Sequence, residues 1–246
     1  MDGILLVDKP QGLTSHDVID FVRKRFGLKK AGHAGTLDPM ATGLLVVLTG
    51  KYTKKSNSFL NDDKEYEATL TLGATSDTGD AWGRISAGRA CAKVTEKEIK
   101  DVFNKFLGEI EQAVPSYSAK KFKGRKLYEF ARKGIEVKVE PKKVTIHSIE
   151  ITGIDLPEIS FKVSCSKGTY VRQLCADIGA ALGCGAYLSG LRRTRSGDFT
   201  ISEAATLEEL KSMDAGSLKS ILRLLRPVPL GTSCLGYRAR NDGSIT

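Results

Sequence analysis

The thirteen residues from Ala31 to Gly43, AGHAGTLDPMATG, constrain this chain more than any other stretch. Three glycines and one proline in that span disfavour a regular helix or strand and favour a tight, rigid loop. The apolar run Leu44–Leu48 follows directly and reads as a buried strand. His33 and Asp38 are thereby presented on a constrained bend at the edge of a sheet. A carboxylate held there is well placed for nucleophilic or acid–base chemistry. Asp-Pro is also an ordinary turn pair, so the loop alone leaves both readings open. The region does not read as a nucleotide-phosphate loop. Gly50-Lys51 is followed by Tyr52 instead of Ser or Thr, and Gly43 lies too far upstream.

The rest of the chain alternates strand and helix signals. Ile4–Val7 is a short apolar strand closed by Lys9-Pro10 and Gly12. A helix starts at Thr14-Ser15 with Asp17 in capping-box position, buries Val18, Phe21, Val22 and Phe26, and stops at Gly27. Tyr66, Ala68, Leu70 and Leu72 alternate as a half-buried strand does. Thr95–Leu107 reads as a second helix, capped by Thr95 and Glu98, with Ile99, Val102, Phe103 and Phe106 inward. Strands are expected at Val144–Ile151 and Ile159–Cys165, and helices at Tyr170–Leu182 and Thr206–Met213. No regular strand–helix–strand beat is present, so the fold class expected is α+β with a mixed sheet.

Charge narrows the partners. The 38 Lys and Arg against 29 Asp and Glu leave a formal charge of +9, which favours a polyanion, nucleic acid first and an anionic membrane surface second. Five cysteines without a C-x-x-C pair fit reduced thiols in a cytoplasmic protein. The three histidines have no metal-ligand spacing, so no metal is expected. The apolar stretches are too short for a signal segment or a membrane span.

Six segments together resemble one family. GHAGTLDPMATG (Gly32–Gly43) is similar to the catalytic-aspartate motif of the TruB family of bacterial tRNA pseudouridine synthases. VDKPQGLTSHD (Val7–Asp17), DKEYEATLTLGATSDTGDAWG (Asp63–Gly83) and VPSYSAKKFKGRKLYEFARKG (Val114–Gly134) match that family in the same order. So do CSKGTYVRQLCADIGAALGCGAYLSGLRRTRSG (Cys165–Gly197) and LLRPVPL (Leu224–Leu230), and the resemblance runs from residue 3 to about 230.

The resemblance implies a pseudouridine synthase fold, a mixed and mainly antiparallel sheet flanked by helices and loops. It implies isomerisation of uridine 55 in the T-arm stem-loop of tRNA. No electrons move and no outside atom is added, so no cofactor is implied. Asp38 matches the catalytic carboxylate, Arg172 the arginine that pairs with it, and Tyr66 the tyrosine that stacks on the target base. A paired guanidinium is expected to lower the Asp38 pKa and orient it through two parallel hydrogen bonds. Tyr170 and Leu191 match nucleotide-contacting positions, His33 a residue that helps open the loop, and Lys9 and Lys64 supporting positions in or near the pocket.

Ser116–Lys143 resembles an RNA-clasping, thumb-like insertion. Lys120, Lys121, Lys123, Arg125, Lys126, Arg132 and Lys133 give seven cations in 14 residues with one acidic residue, Glu129. Phe122, Tyr128 and Phe130 lie among them, a pattern suited to RNA phosphates and bases. Arg192 and Arg193, with Arg195, form a smaller basic cluster assigned to the RNA backbone. The organisation expected is one catalytic domain, residues 1–230, and a tail, 231–246, too short for the C-terminal RNA-binding domain that many members carry. The enzyme is expected to be monomeric, with no obligate protein partner. Rival readings are a non-catalytic tRNA binder of the same fold and a nucleosidase-like hydrolase. The second needs a partner carboxylate such as Asp77 or Asp80, and nothing in the sequence pairs either with Asp38.

Overall fold

The structure, a computed structural model, describes residues 1–89, 91 and 94–224. The segment LLRPVPL beyond Leu224, the tail 231–246 and Cys234 lie outside the described residues.

In chain order the first elements are β1 (Gly3–Lys9), α1 (Ser15–Phe26), β2 (Ala31–His33), β3 (Thr42–Thr49), α2 (Ser56–Leu60) and β4 (Lys64–Leu72). A small hairpin, β5 (Ala74–Ser76) and β6 (Ile85–Ala87), precedes α3 (Glu96–Lys105) and β7 (Gly108–Gln112). The basic segment folds as β8 (Lys121–Phe122), β9 (Arg125–Lys126) and α4 (Leu127–Ala131). Then come β10 (Lys142–Asp155), β11 (Glu158–Cys165), α5 (Val171–Ala181), β12 (Ala186–Ser196), β13 (Phe199–Thr200), β14 (Ala205–Thr206), α6 (Leu207–Ser212) and α7 (Ala215–Ile221).

One ten-stranded sheet runs β14-β1-β3-β12-β4-β11-β10-β7, with β2 on β3 and β13 on β12. Among the described strands of the sheet only the pairs β1–β14 and β3–β12 are parallel, so the sheet is mixed and mainly antiparallel as expected. β1 and β3 are covered on both faces. Leu5, Val7, Leu45 and Val47 pack under α1, while Ile4, Leu6, Leu44, Val46 and Leu48 pack toward Phe59 of α2. Coverage on both sides is why these strands read as continuous apolar runs, each buried side chain contributing about 1.5–3 kcal/mol. β4 is covered on one face only. Ala68, Leu70 and Leu72 meet the α3 and α5 side, and Glu67, Thr69 and Thr71 face outward, hence its alternation.

The helix caps form as the sequence demands. Thr14 and Asp17 close a reciprocal capping box, and Gly27 ends α1 with a left-handed φ of 60°. Ile19 is buried in α1 alongside Val18, Val22 and Phe26, while Phe21 is only partly buried. Thr95 and Glu98 cap α3, whose Phe103 meets Phe161 of β11 edge-on at 5.4 Å. Sequence reasoning missed β12, which lies between β3 and β4 at the centre of the sheet. It also missed β7 and α7, and Ala31–His33, expected within the loop, pairs with β3 as β2. Among the described residues no helix is long and apolar enough to cross a membrane.

Candidate active site

The Ala31–Gly43 loop is held from three directions. Ala34 N–H donates to Val46 O at 2.9 Å, pinning the loop to β3. The buried Ser15 hydroxyl, at the start of α1, accepts from Leu37 N–H at 2.8 Å and donates to Leu37 O at 3.0 Å. Gly12 N–H donates to Pro39 O, and Ala41 N–H closes the turn onto Asp38 O at 3.0 Å. Each net bond contributes on the order of 1 kcal/mol, and together they fix where the Asp38 carboxylate points.

Arg193 braces the same loop from β12. It is 1% exposed, and its Nε donates to Leu44 O at 2.7 Å while Nη2 donates to Gly35 O at 3.1 Å. Across the sheet its register partners are Gly43 on β3 and Tyr66 on β4. Gly43 has φ +99°, and a β-carbon there would collide with the Arg193 carbonyl oxygen. Glycine is thus required for the loop to enter β3 against β12. Arg193, expected among the phosphate contacts, lines the cleft with its guanidinium buried against backbone carbonyls.

Arg172 lies in the first turn of α5, where a cation gains nothing from the helix dipole. Its Nη1 stands 3.3 Å from Asp38 Oδ2 and 3.7 Å from Asp80 Oδ2, and its Nη2 donates to Tyr117 O at 2.6 Å. Two carboxylates offset the misplaced charge. The pairing with Asp38 is therefore a single ion pair, not the expected fork, because Nη2 is taken by Tyr117. Asp80, named from the sequence only as a partner carboxylate for the rival hydrolase, is buried, accepts from Thr78 Oγ1 and from Trp82 N–H, and shares Arg172 with Asp38. Its Asx-like spacing in TSDTGDAWG carries no signal of that partnership.

The Asp38 pKa also departs from expectation. Burial raises it above the ordinary carboxylate range, outweighing the Arg172 charge, and Asp80 adds to the rise while Lys9 opposes it. Asp38 remains 37% exposed at its side chain and opens onto a cleft of about 800 Å³. His33, Tyr66, Tyr170, Leu191 and Lys64 line that cleft with it, so the structure brings most of the expected site residues together. Burial first, then the electrostatic influence of Arg193, His16 and Lys126, lower the His33 pKa. Burial raises the Tyr66 phenol against the opposing influence of Arg193. The Tyr170 ring lies under the Arg172 guanidinium at 5.8 Å. Tyr170 is further fixed by Gln112, which bonds both its backbone N–H and its carbonyl.

The supporting lysines are held by backbone carbonyls in and beside the pocket. Lys9 is fully buried beneath the loop, donating to Pro10 O and Leu13 O, and is absent from the cleft wall. Lys64 reaches the wall, but its ammonium is spent on the carbonyls of Phe59, Leu60 and Asp62. Arg192 makes two hydrogen bonds to Asp8, at 3.1 and 2.7 Å, on the outer face of the sheet. Its guanidinium is thus engaged away from the cleft. The seven cations of the basic segment are all exposed, and of them Lys126 and Arg132 reach the cleft. Lys123 and Gly124, both with positive φ, form the two-residue turn that presents them. Arg125 lies over Phe130, and Lys126 and Arg132 over Tyr128, so the cations are splayed by aromatic rings.

Residues 23–171 match the family described as TruB family pseudouridylate synthase, N-terminal domain, and residues 172–229 match the tRNA pseudouridylate synthase B C-terminal domain. The chain belongs to the TruB family. The border between the two matches falls at the start of α5, and β12 of the second part lies between β3 and β4 of the first. Both TruB parts therefore build one sheet. The tRNA pseudouridine synthase B of Syntrophotalea carbinolica is 46% identical over 247 residues, covering 96% of this chain and 81% of that protein. The tRNA pseudouridine synthase B of Azoarcus sp. is 49% identical over 222 residues, covering 90% of this chain and 74% of that protein. Among solved structures, a Cbf5-Nop10-Gar1 complex matches with TM-score 0.67 and 35% identity over 84% of this chain. An H/ACA RNP bound to a substrate RNA containing 2′-deoxyuridine matches with TM-score 0.63 and 33% identity over 84% of this chain. The TruB-family chain spans about half the length of those two solved chains, 52% and 51%.

Proposed function

We propose that this chain converts uridine to pseudouridine at position 55, in the T-loop of tRNA, with Asp38 as the catalytic carboxylate. The observation that carries the reading is the Asp38–Arg172 ion pair at 3.3 Å, opening onto a cleft wide enough for one nucleotide. The reaction breaks the N1–C1′ bond, turns the uracil over and joins C5 to C1′; the C5 hydrogen leaves as a proton and N1 gains one. Asp38 must act as an anion, attacking C1′ or the ring or stabilising a glycal-type intermediate. Arg172 favours its ionised form and aims it. Tyr66 stacks on the base, Tyr170 and Leu191 hold the nucleotide, and the His33 ring fills the space the everted base vacates. Extrusion costs a few kcal/mol, which such a filler partly offsets. The exposed cations from Lys120 to Lys133 grip the T-arm backbone.

Residues 1–230 act as one catalytic domain, monomeric in the cytoplasm, with tRNA as partner and no cofactor. Tritium release from tRNA carrying 5-tritiated uridine tests the reading. Release is expected with U55 and absent when position 55 is cytidine; equal release from both substrates refutes the site assignment.

A further inference from the structure

Three lysines converge at the rim of the cleft, and only one has an assigned role. Lys142 opens β10 and is half-buried. A β-carbon on Gly168 would collide with its Nζ, so the ammonium occupies space that only a glycine leaves free. Gly168 and Thr169 line the nucleotide cleft beside Tyr170. The placement is built into the sheet. Lys142 pairs with Gln112 of β7, and the Gln112 amide bonds the Tyr170 backbone at 2.8 and 3.1 Å. A second tie comes from Thr145 and Ser166, joined by Ser166 N–H to Thr145 O and Thr145 N–H to Ser166 Oγ.

The charge there is uncompensated. Burial first, then the Lys120 and Lys167 charges, hold the Lys142 ammonium below its usual range, and no acidic group among the described residues opposes them. Lys167 donates to the neutral Asn61 amide at 2.9 Å. Among the described residues the Lys142 and Lys120 ammoniums have no hydrogen-bond or ion-pair partner. The next residue, Lys143, points to the other face and is paired with Glu109 at 2.8 Å. Like charges gathered without an acid raise the free energy of the empty protein, and an anion relieves it.

We propose that Lys142, seated on Gly168 and flanked by Lys120 and Lys167, binds a backbone phosphate of the RNA next to the everted uridine. The inference rests on the RNA-modifying reading above. It adds a phosphate subsite at the cleft rim, on the side of Tyr170 where Gly168 and Thr169 form the wall.

The test compares the full chain with Lys142→Gln, Lys120→Gln and, as a surface control, Lys219→Gln, measuring affinity for a T-arm hairpin across salt concentrations. One phosphate contact accounts for about 0.7–0.9 of the slope of log affinity against log salt. Lys142→Gln is expected to lose that much slope and on the order of five-fold affinity at 0.1 M salt. Lys120→Gln is expected to move the same way, and Lys219→Gln to keep the wild-type slope. A methylphosphonate at the contacted phosphate should abolish the difference between wild type and Lys142→Gln. The Tm of Lys142→Gln without RNA should equal or exceed wild type, since a repelled charge is removed; a structural lysine would lower it. A wild-type slope with Lys142→Gln, or an effect that no flanking methylphosphonate erases, overturns the subsite. Tritium release by wild type reports separately on the parent reading, because it does not depend on which phosphate is held.

Discussion

Asp38 shares its guanidinium nitrogen with Asp80: Nη1 of Arg172 lies 3.3 Å from Asp38 Oδ2 and 3.7 Å from Asp80 Oδ2. Asp80 is thus a positioning residue that acts through Arg172. Asp80→Asn keeps acceptors for Thr78 and Trp82 but removes the charge that balances Arg172. Turnover is expected to fall about 10- to 100-fold, equivalent to roughly 1.4–2.7 kcal/mol, with KM little changed. Steady-state kinetics on T-arm RNA check this. Because Asp80 raises the Asp38 pKa, the acid limb of the variant should also move to lower pH.

Burial lifts Asp38 above the ordinary carboxylate range, and the reaction needs the anion. The acid limb of kcat/KM for wild type is therefore expected above the pKa of a free aspartate. Arg172 opposes the rise, so Arg172→Gln should shift the limb further up and cut turnover at least ten-fold. A pH–rate series on both proteins decides it. A limb that stays put in Arg172→Gln contradicts the electrostatic role.

Arg193 braces the loop through Leu44 O and Gly35 O. Arg193→Lys loses the fork that joins Leu44 O and Gly35 O and is expected to cost about 2–4 kcal/mol in urea unfolding. Gly43→Ala should be at least as damaging, since it demands a left-handed φ and collides with Arg193. The salt dependence of RNA binding in folded Arg193→Lys should match wild type.

The helices were legible because their signals are local. Thr14 and Asp17 close a capping box within one turn, and Gly27 supplies the left-handed stop. β3 was legible from its apolar run. β12 was not, although it is central, because its burial is mixed: Arg193 is buried in a polar niche, Gly190 sits at a bulge, and Arg192 pairs outward with Asp8. Motif resemblance placed Asp38, Tyr66, Arg172 and Tyr170 around one cleft, yet it could not reveal that Tyr117 takes the second Arg172 nitrogen. That contact joins residues 55 positions apart and leaves no local pattern. The same holds for Asp80. Lys64 lies in the cleft wall and Lys9 under the loop, but that their ammoniums, like the Arg193 guanidinium, go to backbone carbonyls was not legible, because sequence does not distinguish a cation that reaches a ligand from one that caps carbonyls.

Lys9 also gives a pH signature in stability. Burial lowers its pKa from 10.5 to about 8, so between those values the unfolded chain binds the proton more tightly than the folded one. The Lys9 contribution to stability is thus expected to rise as pH goes from about 8 to about 10.5. Lys9→Met removes that titration while stranding the Pro10 and Leu13 carbonyls, at a cost of about 1–3 kcal/mol. Urea midpoints on both sides of pH 8 should show wild type gaining on Lys9→Met as pH increases. Parallel curves for the two proteins would refute the buried, titrating lysine.

The central claim is that the Asp38 anion does the chemistry. Asp38→Asn keeps the size of the side chain and its place on the loop. Single-turnover tritium release from tRNA with 5-tritiated uridine, run at saturating enzyme with binding measured in parallel, isolates the charge. Asp38→Asn is expected to bind the RNA and release no tritium above background, while wild type releases it. Release by Asp38→Asn at the wild-type rate would contradict the claim.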